Sequence, residues 1–363
     1  MNKRRSDSIA FNVPDFQQNK LNNKFNNNNN QYIKFYKQIN ELTESNNNLN
    51  KSYHHHIIHN NHKRSKSNLN ESKNCNINKS NIIYKLKNNE NFFHFNSPST
   101  HNSYKEFSIS LDKNEKYQTN MEDCFCIAKH FEEDTNKSMF CLFDGHGGIQ
   151  VAKYLSKYFV DYFNRYLEKY PNENTENLFK KIFKKIDSDI KKYVSESNEI
   201  GSTGTIIYIT KEYDPKIGMK KMLYCANVGD SRSVLFTNNN CKRITYEHKC
   251  SDTFEDERIK NENGFVLNNR LNGILSVSRA FGDFNLKGKG LTSEPSIHKT
   301  EINTNVNNFV VLCTDGIWDV VNEEDIFYLT LNNNETEKIC KEILSLGKQR
   351  DSKDNMSCIV IKI

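Results

Sequence analysis

An acidic residue stands at one end of each of the most apolar short runs in this chain. The runs and their acids are DCFCIA (123–128) after Glu122, MFCLF (139–143) before Asp144, YCANVG (224–229) before Asp230, NFVVLCT (308–314) before Asp315, and MSCIVIKI (356–363) after Asp354-Asn355. The length and composition of these runs predict buried β-strands. One Asp-Gly pair after a strand is usually a turn, but several carboxylates at the edge of one core repel each other and lose solvation. Such a group needs a cation or protons to persist.

The donor atoms at these strand ends favour a hard divalent cation. All of them are oxygens except those of His146, and no cysteine has a zinc-binding spacing. Mg²⁺ or Mn²⁺ is therefore favoured over Zn²⁺. Two such ions about 4 Å apart can ionise a water, hold phosphate oxygens and stabilise an in-line displacement. Spacing alone leaves a two-metal phosphoester hydrolase as one hypothesis among others, because a sequence does not show that the strand ends converge.

The loop after MFCLF contains a histidine among glycines. It reads Asp144-Gly145-His146-Gly147-Gly148. The glycines allow the backbone to approach a metal and a substrate closely. His146, next to a ligand, is positioned to protonate a departing alkoxide.

From Tyr104 onward the pattern indicates antiparallel sheets covered by helices. Further strands are predicted at 104–111, 205–210, 222–228, 233–236 and, weakly, 243–246. Apolar residues at intervals of three and four predict helices at 149–170 and 175–194, with two more at 323–331 and 335–346. We see no internal repeat, so residues 101–363 are predicted to form one domain.

The first hundred residues differ from the rest in composition. They contain asparagine runs such as NNKFNNNNN (22–30) and carry 15 Lys and Arg against 6 Asp and Glu. Such a segment buries too little apolar surface to offset its ordering entropy, so residues 1–100 are predicted to be a disordered, basic, Asn-rich extension. MNKRR (1–5) could be a nuclear signal and HHHIIHNNH (54–62) a metal chelator, but solvated tail charges and low-complexity drift are the simpler interpretations.

Residues 101–363 carry 36 basic and 39 acidic residues, so no basic nucleic-acid-binding face is evident and nucleic acid is not an expected partner. No run of 18 apolar residues predicts a membrane span, and no signal-peptide order is present. Asn2 excludes N-myristoylation. The ten cysteines are scattered singly, which favours reduced thiols. We therefore expect a cytoplasmic or nuclear protein.

Nine segments resemble, in order, the metal-dependent protein serine/threonine phosphatases of type 2C (the PPM family). They are NMEDCF (120–125), FDGHGG (143–148), GSTGT (201–205), ANVGDSRSVL (226–235), EHKCSDTFEDERI (247–259), LNGILSVSRAFGDF (271–284), SEPSI (293–297), CTDGIWDV (313–320) and DNMSCIVI (354–361). The resemblance implies an α+β fold: a four-layer α/β/β/α sandwich of two antiparallel sheets flanked by helix pairs. The catalytic domain would span 101–363.

The resemblance also implies two Mg²⁺ or Mn²⁺ ions and a weaker third one. The implied ligands of the two ions are Glu122, Asp144, the Gly145 carbonyl, Asp315 and Asp354. Asp144 would bridge both ions, while Glu122 would serve one ion and the Asp315–Asp354 pair the other. Asp230 and Asp319 resemble ligands of the third ion, and Asp319 lies one helical turn after Asp315.

Catalytic roles follow from the same resemblance. A metal-bridging hydroxide would be the nucleophile, without a phosphoenzyme, and His146 would be the general acid. Asp123 would hold metal-bound water, Thr203 resembles the family's active-site threonine, and Asn355 would help to orient the last acid.

Other matches indicate structure more than catalysis. Arg279 and Asp283 are predicted to hold the loop that connects the sheets, and Trp318 is predicted to pack behind the metal helix. Residues 255–266 resemble a flap beside the cleft, where substrate preference would be set.

The chain departs from the family pattern at the phosphate-binding position. Many members have an arginine three residues before Met-Glu-Asp, where this chain has Gln118. Loss of a bidentate cation should weaken phosphate binding and raise KM, and Lys116 could substitute as a point charge. Glu247 and Cys250 replace the usual Asp and Pro before the flap, which puts the flap's shape in doubt.

The leading hypothesis is a monomeric Mg²⁺- or Mn²⁺-dependent phosphatase acting on phosphoserine and phosphothreonine in phosphorylated protein substrates. The alternative is a catalytically silent scaffold that binds a protein partner. The presence of Glu122, Asp144, Asp315 and Asp354 disfavours it. A third interpretation, in which the basic extension tethers the chain to nucleic acid or anionic lipid, ranks below both.

Overall fold

The computed structural model describes residues 82–83, 91–97, 102–131 and 134–363, all within one compact unit, Asn74–Ile363. The basic cluster 1–5, the histidine tract 54–62 and most of the predicted disordered extension lie outside the described residues. Within the described part of the chain, no helix has the length and apolar character needed to cross a membrane.

Two six-stranded antiparallel sheets form the centre of the fold. The first sheet, in spatial order, contains β1 (Ile82–Ile83), β4 (Cys124–Ala128), β5 (Ser138–Phe143), β8 (Gly204–Asp214), β9 (Gly218–Val228) and β15 (Ser296–Glu301). The second contains β11 (Asn240–Arg243), β10 (Arg232–Thr237), β16 (Asn308–Cys313), β17 (Met356–Lys362), β3 (Glu106–Asp112) and β2 (Phe92–Asn96).

Strand β5 shows why these runs are apolar at every position. Phe140 and Leu142 belong to the core between the two sheets, whereas Met139, Cys141 and Phe143 pack in the core under the first helix pair. Because successive side chains of a strand point to opposite faces, a strand covered on both sides must be apolar throughout.

In the described part of the chain, six helices lie outside the sheets. They are α1 (Gln150–Lys169), α2 (Thr175–Tyr193), α3 (Thr253–Asn261), α4 (Asp315–Trp318), α5 (Glu323–Asn332) and α6 (Thr336–Gln349). Helix α1 buries Val151, Leu155, Phe159 and Phe163 at four-residue spacing against the first sheet. Helices α5 and α6 bury their apolar residues against the second sheet. The layers run helix, sheet, sheet, helix, so the predicted α/β/β/α sandwich is confirmed.

The described residues also form two small sheets. The hairpin of β12 (Val266–Leu267) and β13 (Arg270–Leu271) follows α3. A three-stranded sheet joins β6 (Gly145–His146), β7 (Gly201–Ser202) and β14 (Phe281–Gly282). These segments are distant in sequence, and the second of these sheets contains His146.

Three details differ from the sequence-based predictions. Strands β1 and β2 join the large sheets although they precede the predicted boundary at residue 100. The weak strand predicted at 243–246 is wrong, because β11 ends at Arg243. The short helix α3 was not predicted as a separate element. All nine described cysteines are free thiols.

Candidate active site

The strand ends that carry the acids converge at one end of the sandwich. Cys124 pairs with Phe143 in the register of β4 and β5, so Asp123 and Asp144 are neighbours in the first sheet. Cys313 pairs with Cys358 in the second sheet, which places Asp315 beside the start of β17.

Asp123 connects the two sheets through its carboxylate. Its Oδ2 accepts hydrogen bonds from Ser357 Oγ at 2.6 Å and from Thr314 Oγ1 at 3.1 Å. The three residues lie on β4, β17 and β16 or directly beside them, and all are buried. One carboxylate thus joins the acidic ends of both sheets, which the sequence alone could not establish.

The buried carboxylates raise one another's pKa. Burial raises the pKa of Asp144 well above its ordinary value, and the charges of Asp315, Asp123, Asp230 and Asp354 raise it further. Five acids separated by up to 231 positions therefore share one electrostatic site.

Neighbouring acids show the same effect. Burial, followed by the charge of Asp230, raises the pKa of Asp315 to about 8. Burial raises the pKa of Asp123 to about 7 despite the bonds from Ser357 and Thr314. The cause in each case is loss of water around a carboxylate with like charges close by.

The remaining predicted ligands lie on adjacent backbone. A Cβ atom added to Gly145 would lie 2.6 Å from the Glu122 carbonyl oxygen, so only glycine fits between these segments. The Glu122 backbone N–H donates to Asn355 Oδ1 at 2.8 Å, and Asn355 Nδ2 donates to the Asn120 carbonyl at 3.0 Å. Asn355 thereby fixes the segment that carries Glu122 against the segment that carries Asp354.

Asp319 and Asp230 lie at the same end. The Asp319 N–H donates to the Asp315 carbonyl at 2.8 Å, one turn of α4 apart. Burial raises the pKa of Asp230, Lys249 opposes this shift, and the Asp319 and Glu247 charges add to it.

The donor set fits hard cations, because buried carboxylates that repel each other are stabilised by positive charge between them. Over the described residues, however, no three His, Cys, Asp or Glu side chains are grouped so that they could hold a metal ion as they stand. Binding would therefore require carboxylate side chains to turn toward an ion from these backbone positions.

His146 contacts Asp283 directly. His146 Nε2 and Asp283 Oδ2 are 2.7 Å apart, and the Asp283 carboxylate is buried. Gly201 lies between them on β7, where any Cβ atom would overlap both side chains. The sequence had predicted that Asp283 only holds a loop, whereas the structure makes it the partner of the predicted general acid.

A second pair of charges holds the Asp283 loop in place. The Gly282 N–H donates to Asp187 Oδ1 at 2.9 Å, and Lys287 Nζ lies 2.9 Å from Asp187 Oδ2. Lys287 also donates to the Ala280 carbonyl at 2.7 Å. Asp187 lies on α2, so this helix supports the loop behind His146. Sequence reasoning missed Asp187 and Lys287, because neither lies in one of the nine segments that resemble the phosphatase family.

Thr203 supports the backbone of the site. It is buried, its N–H donates to the Asp144 carbonyl at 2.8 Å, and its Oγ1 accepts from the Asp144 N–H at 3.2 Å. Ser231 Oγ lies 3.0 Å from Thr203 Oγ1. Thr203, which was predicted to be an active-site residue, joins the Asp144 and Asp230 loops through these contacts.

Gln118 and Lys116 lie on the rim of the site. Gln118 Nε2 donates to Asp354 Oδ1 at 3.1 Å and to the Lys353 carbonyl at 2.9 Å. Lys116 Nζ forms an exposed ion pair with Asp351 Oδ1 at 2.8 Å. Gln118 thus contacts a predicted metal ligand, while the Lys116 ammonium already has a carboxylate partner.

Arg279 anchors α3 to the site loop. It binds Glu255, which also accepts from Arg258 and Ser278. Burial alone would raise the pKa of the Glu255 carboxyl, but these hydrogen bonds outweigh burial and lower it to about 2. Arg279 was predicted to hold a loop, and its partner in that role is Glu255, which the sequence had not indicated.

Three other predicted positions, Trp318, Glu247 and Cys250, make packing or ion-pair contacts of their own. Trp318 is buried, and its Nε1 donates to the Arg232 carbonyl at 3.1 Å. Glu247 accepts from Arg232 and Arg243 at 2.9 and 2.7 Å. Cys250 packs in the small apolar cluster beneath α3.

Comparisons with known proteins are consistent with this arrangement. The model of the family "Protein phosphatase 2C" matches residues 107–356. Protein phosphatase 2C homolog 1 of Saccharomyces cerevisiae is 30% identical over 262 residues, covering 70% of this chain and 92% of the yeast protein. Human protein phosphatase 1A is 34% identical over 245 residues, or 62% of each chain. A crystal structure of serine-threonine phosphatase 2C from Toxoplasma gondii, 18% identical, superposes with a TM-score of 0.61 over 75% of this chain and 98% of its own, a similarity of fold.

Proposed function

The chain belongs to the protein phosphatase 2C family and is a protein serine/threonine phosphatase, and from that premise we propose that its hydrolysis depends on a dinuclear Mg²⁺ or Mn²⁺ site at the acidic end of the sandwich. The observation that carries the proposal is the junction at Asp123, whose carboxylate is bonded to the ends of β16 and β17 in the other sheet. The Asp123 carboxylate thus joins the proposed ligands beside the first sheet to those beside the second sheet.

The proposed ligands are those whose carboxylates interact at this end. Asp144 would lie between the two ions, with Glu122 and the Gly145 carbonyl on one side. Asp315 and Asp354 would serve the other side, and Asp230 with Asp319 a weaker third ion. Two bound ions would supply Lewis acidity, a water of lowered pKa and neutralisation of the phosphate charge.

His146 is proposed to donate a proton to the departing serine or threonine oxygen. Because Nε2 faces Asp283 Oδ2 at 2.7 Å, Nδ1 is the ring nitrogen available for the leaving group. The carboxylate of Asp283 fixes the orientation of the imidazole ring. Asp123 is proposed to hold the attacking water, with Ser357 and Thr314 fixing the orientation of its carboxylate.

The extent of the domain and the location of the protein are also proposals. We place the start of the catalytic domain near Ile82, because β1 and β2 are the edge strands of the two sheets. The preceding basic residues would form a separate extension. We also propose that the protein is a monomer, that it acts on phosphorylated proteins and that it is located in the cytoplasm or the nucleus.

The test is phosphate release from a phosphothreonine peptide in manganese, with and without chelator, for the wild type and Asp144→Asn. We expect release by the wild type, none in chelator, and a loss of roughly a hundredfold or more in the variant. Activity that survives chelation would refute the metal mechanism. Absence of activity in every metal tested would favour the silent scaffold.

A further inference from the structure

The outward face of α2 is a stripe of lysines. Those exposed between residues 180 and 192 are Lys180, Lys181, Lys184, Lys185, Lys191 and Lys192. The two acids in the same stretch, Asp187 and Asp189, are buried. The helix therefore presents positive charge to solvent and keeps its negative charge inside.

This charge is not a general property of the domain. Residues 150–194, which contain α1 and α2, carry 10 basic and 6 acidic side chains. The rest of residues 101–363 carries 26 basic and 33 acidic ones. One outer layer is thus cationic in a domain that is otherwise anionic.

Half of the lysines on this face lack a carboxylate partner. Lys181 pairs with Glu173, while Lys185 and Lys192 share Asp189. Among the described residues, no ion pair involves the other three, Lys180, Lys184 and Lys191. These three ammonium groups can engage an external anion without breaking an internal ion pair.

The stripe leads to the catalytic end of the molecule. Lys191 Nζ lies 5.4 Å from the centre of the Phe284 ring, and Phe284 directly follows Asp283, the partner of His146. From Lys191 the stripe extends back along α2 to Lys180, a distance of roughly 17 Å at the rise of an α-helix. An extended polypeptide covers that distance with about five residues.

We infer that the α2 lysine face binds an acidic stretch of about five residues that flanks the phosphorylated residue of a protein substrate. The inference rests on the proposed phosphatase function and specifies its substrate class. An exposed charge pair contributes a factor of roughly 1.5 to 5 to an equilibrium constant, so three pairs give about tenfold.

Other polyanions fit the surface less well. A nucleic-acid duplex is long and would meet the anionic remainder of the domain. An anionic membrane is bound most strongly where apolar side chains insert beside the lysines. Among the described residues of α1 and α2, Tyr193 is the one large hydrophobic side chain that is strongly exposed.

The experiment uses the full chain in manganese and three phosphothreonine peptides with a common centre. One peptide is neutral, one has five glutamates before the phosphothreonine and one has five after it. We expect one acidic peptide to have a kcat/KM about tenfold above the neutral peptide at low salt, and this preference to vanish in about 0.5 M salt. In Lys180→Gln/Lys184→Gln/Lys191→Gln the ratio of acidic to neutral kcat/KM should fall about tenfold, because three attractive pairs are lost. In the glutamate triple, Lys180→Glu/Lys184→Glu/Lys191→Glu, the ratio should fall further, because this variant adds repulsion.

The matched control is Lys338→Glu/Lys341→Glu/Lys348→Glu on α6, three lysines that are all more than half exposed. It changes the net charge equally and should leave the ratio within about twofold. Equal ratios in the two glutamate triples, or no preference in the wild type, would overturn the inference.

A binding assay separates this inference from the proposed function. The anisotropy of a fluorescent, unphosphorylated glutamate-rich peptide reports the α2 surface even if no peptide is hydrolysed. A loss of affinity confined to the α2 triple supports the surface, whatever the activity. Binding of duplex DNA and of phosphatidylserine vesicles is measured for the same variants. If the α2 triple loses affinity only for one of these ligands, that ligand replaces the acidic polypeptide and the inference is refuted.

Discussion

At the scale of single residues, the pair formed by His146 and Asp283 adds most to the family pattern. A histidine between glycines next to an acid can be interpreted from the sequence as a proton donor. Its partner lies 137 positions away and reaches it only because β6, β7 and β14 pair side by side. The buried carboxylate then leaves one ring nitrogen for the substrate.

Replacing Asp283 with asparagine should affect substrates according to their leaving group. Without the carboxylate the His146 ring loses its fixed orientation toward the departing oxygen, so a substrate that needs protonation of an alkoxide should suffer most. We expect kcat for a phosphothreonine peptide to fall roughly 10- to 100-fold and kcat for p-nitrophenyl phosphate to fall less than about threefold. The variant Asp256→Asn on α3, at a partly exposed carboxylate that pairs with Lys260, serves as the control. Equal losses on both substrates would mean that Asp283 has only a structural role.

Lys116 offers a second test on the rim of the site. Gln118, at the position of the expected arginine, donates to Asp354, so it is not free to grip phosphate as an arginine would. The Lys116 ammonium, two residues away, would then contribute its positive charge to substrate binding. Lys116→Ala should raise KM for a phosphopeptide several-fold, with kcat unchanged in a steady-state assay, and an unchanged KM would discard this role.

At the scale of elements, the sequence predicts strands that are buried on both faces and the two long amphipathic helices. Their apolar periodicity is local, and MFCLF or NFVVLCT could not be stable on a surface. It does not predict β1 and β2, which are edge strands in an asparagine-rich context. Nor does it predict the three two-residue strands around His146, because their pairing depends on tertiary contacts. The acids at strand ends were found early, whereas Glu255 and Asp187 had no local pattern to reveal them.

Helix α3 depends on one buried carboxylate. The pKa of Glu255 is about 2, below its ordinary value of 4.5, so its ionised form stabilises the fold. This contribution is complete above pH 4.5 and is lost as the pH falls through 2. Glu255→Gln should reduce the free energy of unfolding by about 3 kcal/mol at pH 7 in urea titrations, and the difference should shrink by about 2 kcal/mol at pH 3.

Glu262→Gln is the matched control for this prediction, because Glu262 also binds Arg258 but is half exposed. It should change the free energy of unfolding by less than about 0.5 kcal/mol. A pH-independent difference for Glu255→Gln would show that the ionised carboxylate is not the cause.

At the scale of the whole molecule, the fold gathers repulsive charge at one end, which cations at the proposed site would balance. Each sheet alone would expose two or three acids, which water could solvate. Packing the sheets face to face buries the acids together, so the sandwich stores electrostatic repulsion at this end. Divalent ions at the proposed site would relieve it, so we expect metal binding and global stability to be linked.

Asp144 is the centre of this balance, since four other carboxylates raise its pKa. In chelator, Asp144→Asn removes one repelling charge and should therefore raise the melting temperature above that of the wild type, by about 2–6 °C. Manganese should raise the melting temperature of the wild type because it binds the folded state, and it should raise that of the variant much less. Asp214→Asn, in the distant β8–β9 hairpin, should respond to manganese like the wild type. The measurement is a thermal melt of each protein with chelator and with manganese. If Asp144→Asn melted below the wild type in chelator, the acids would not be mutually repulsive. If the melting temperature of the variant rose in manganese as much as that of the wild type, the acids would not form a cation site, because a site that loses its central ligand loses its response to the ion.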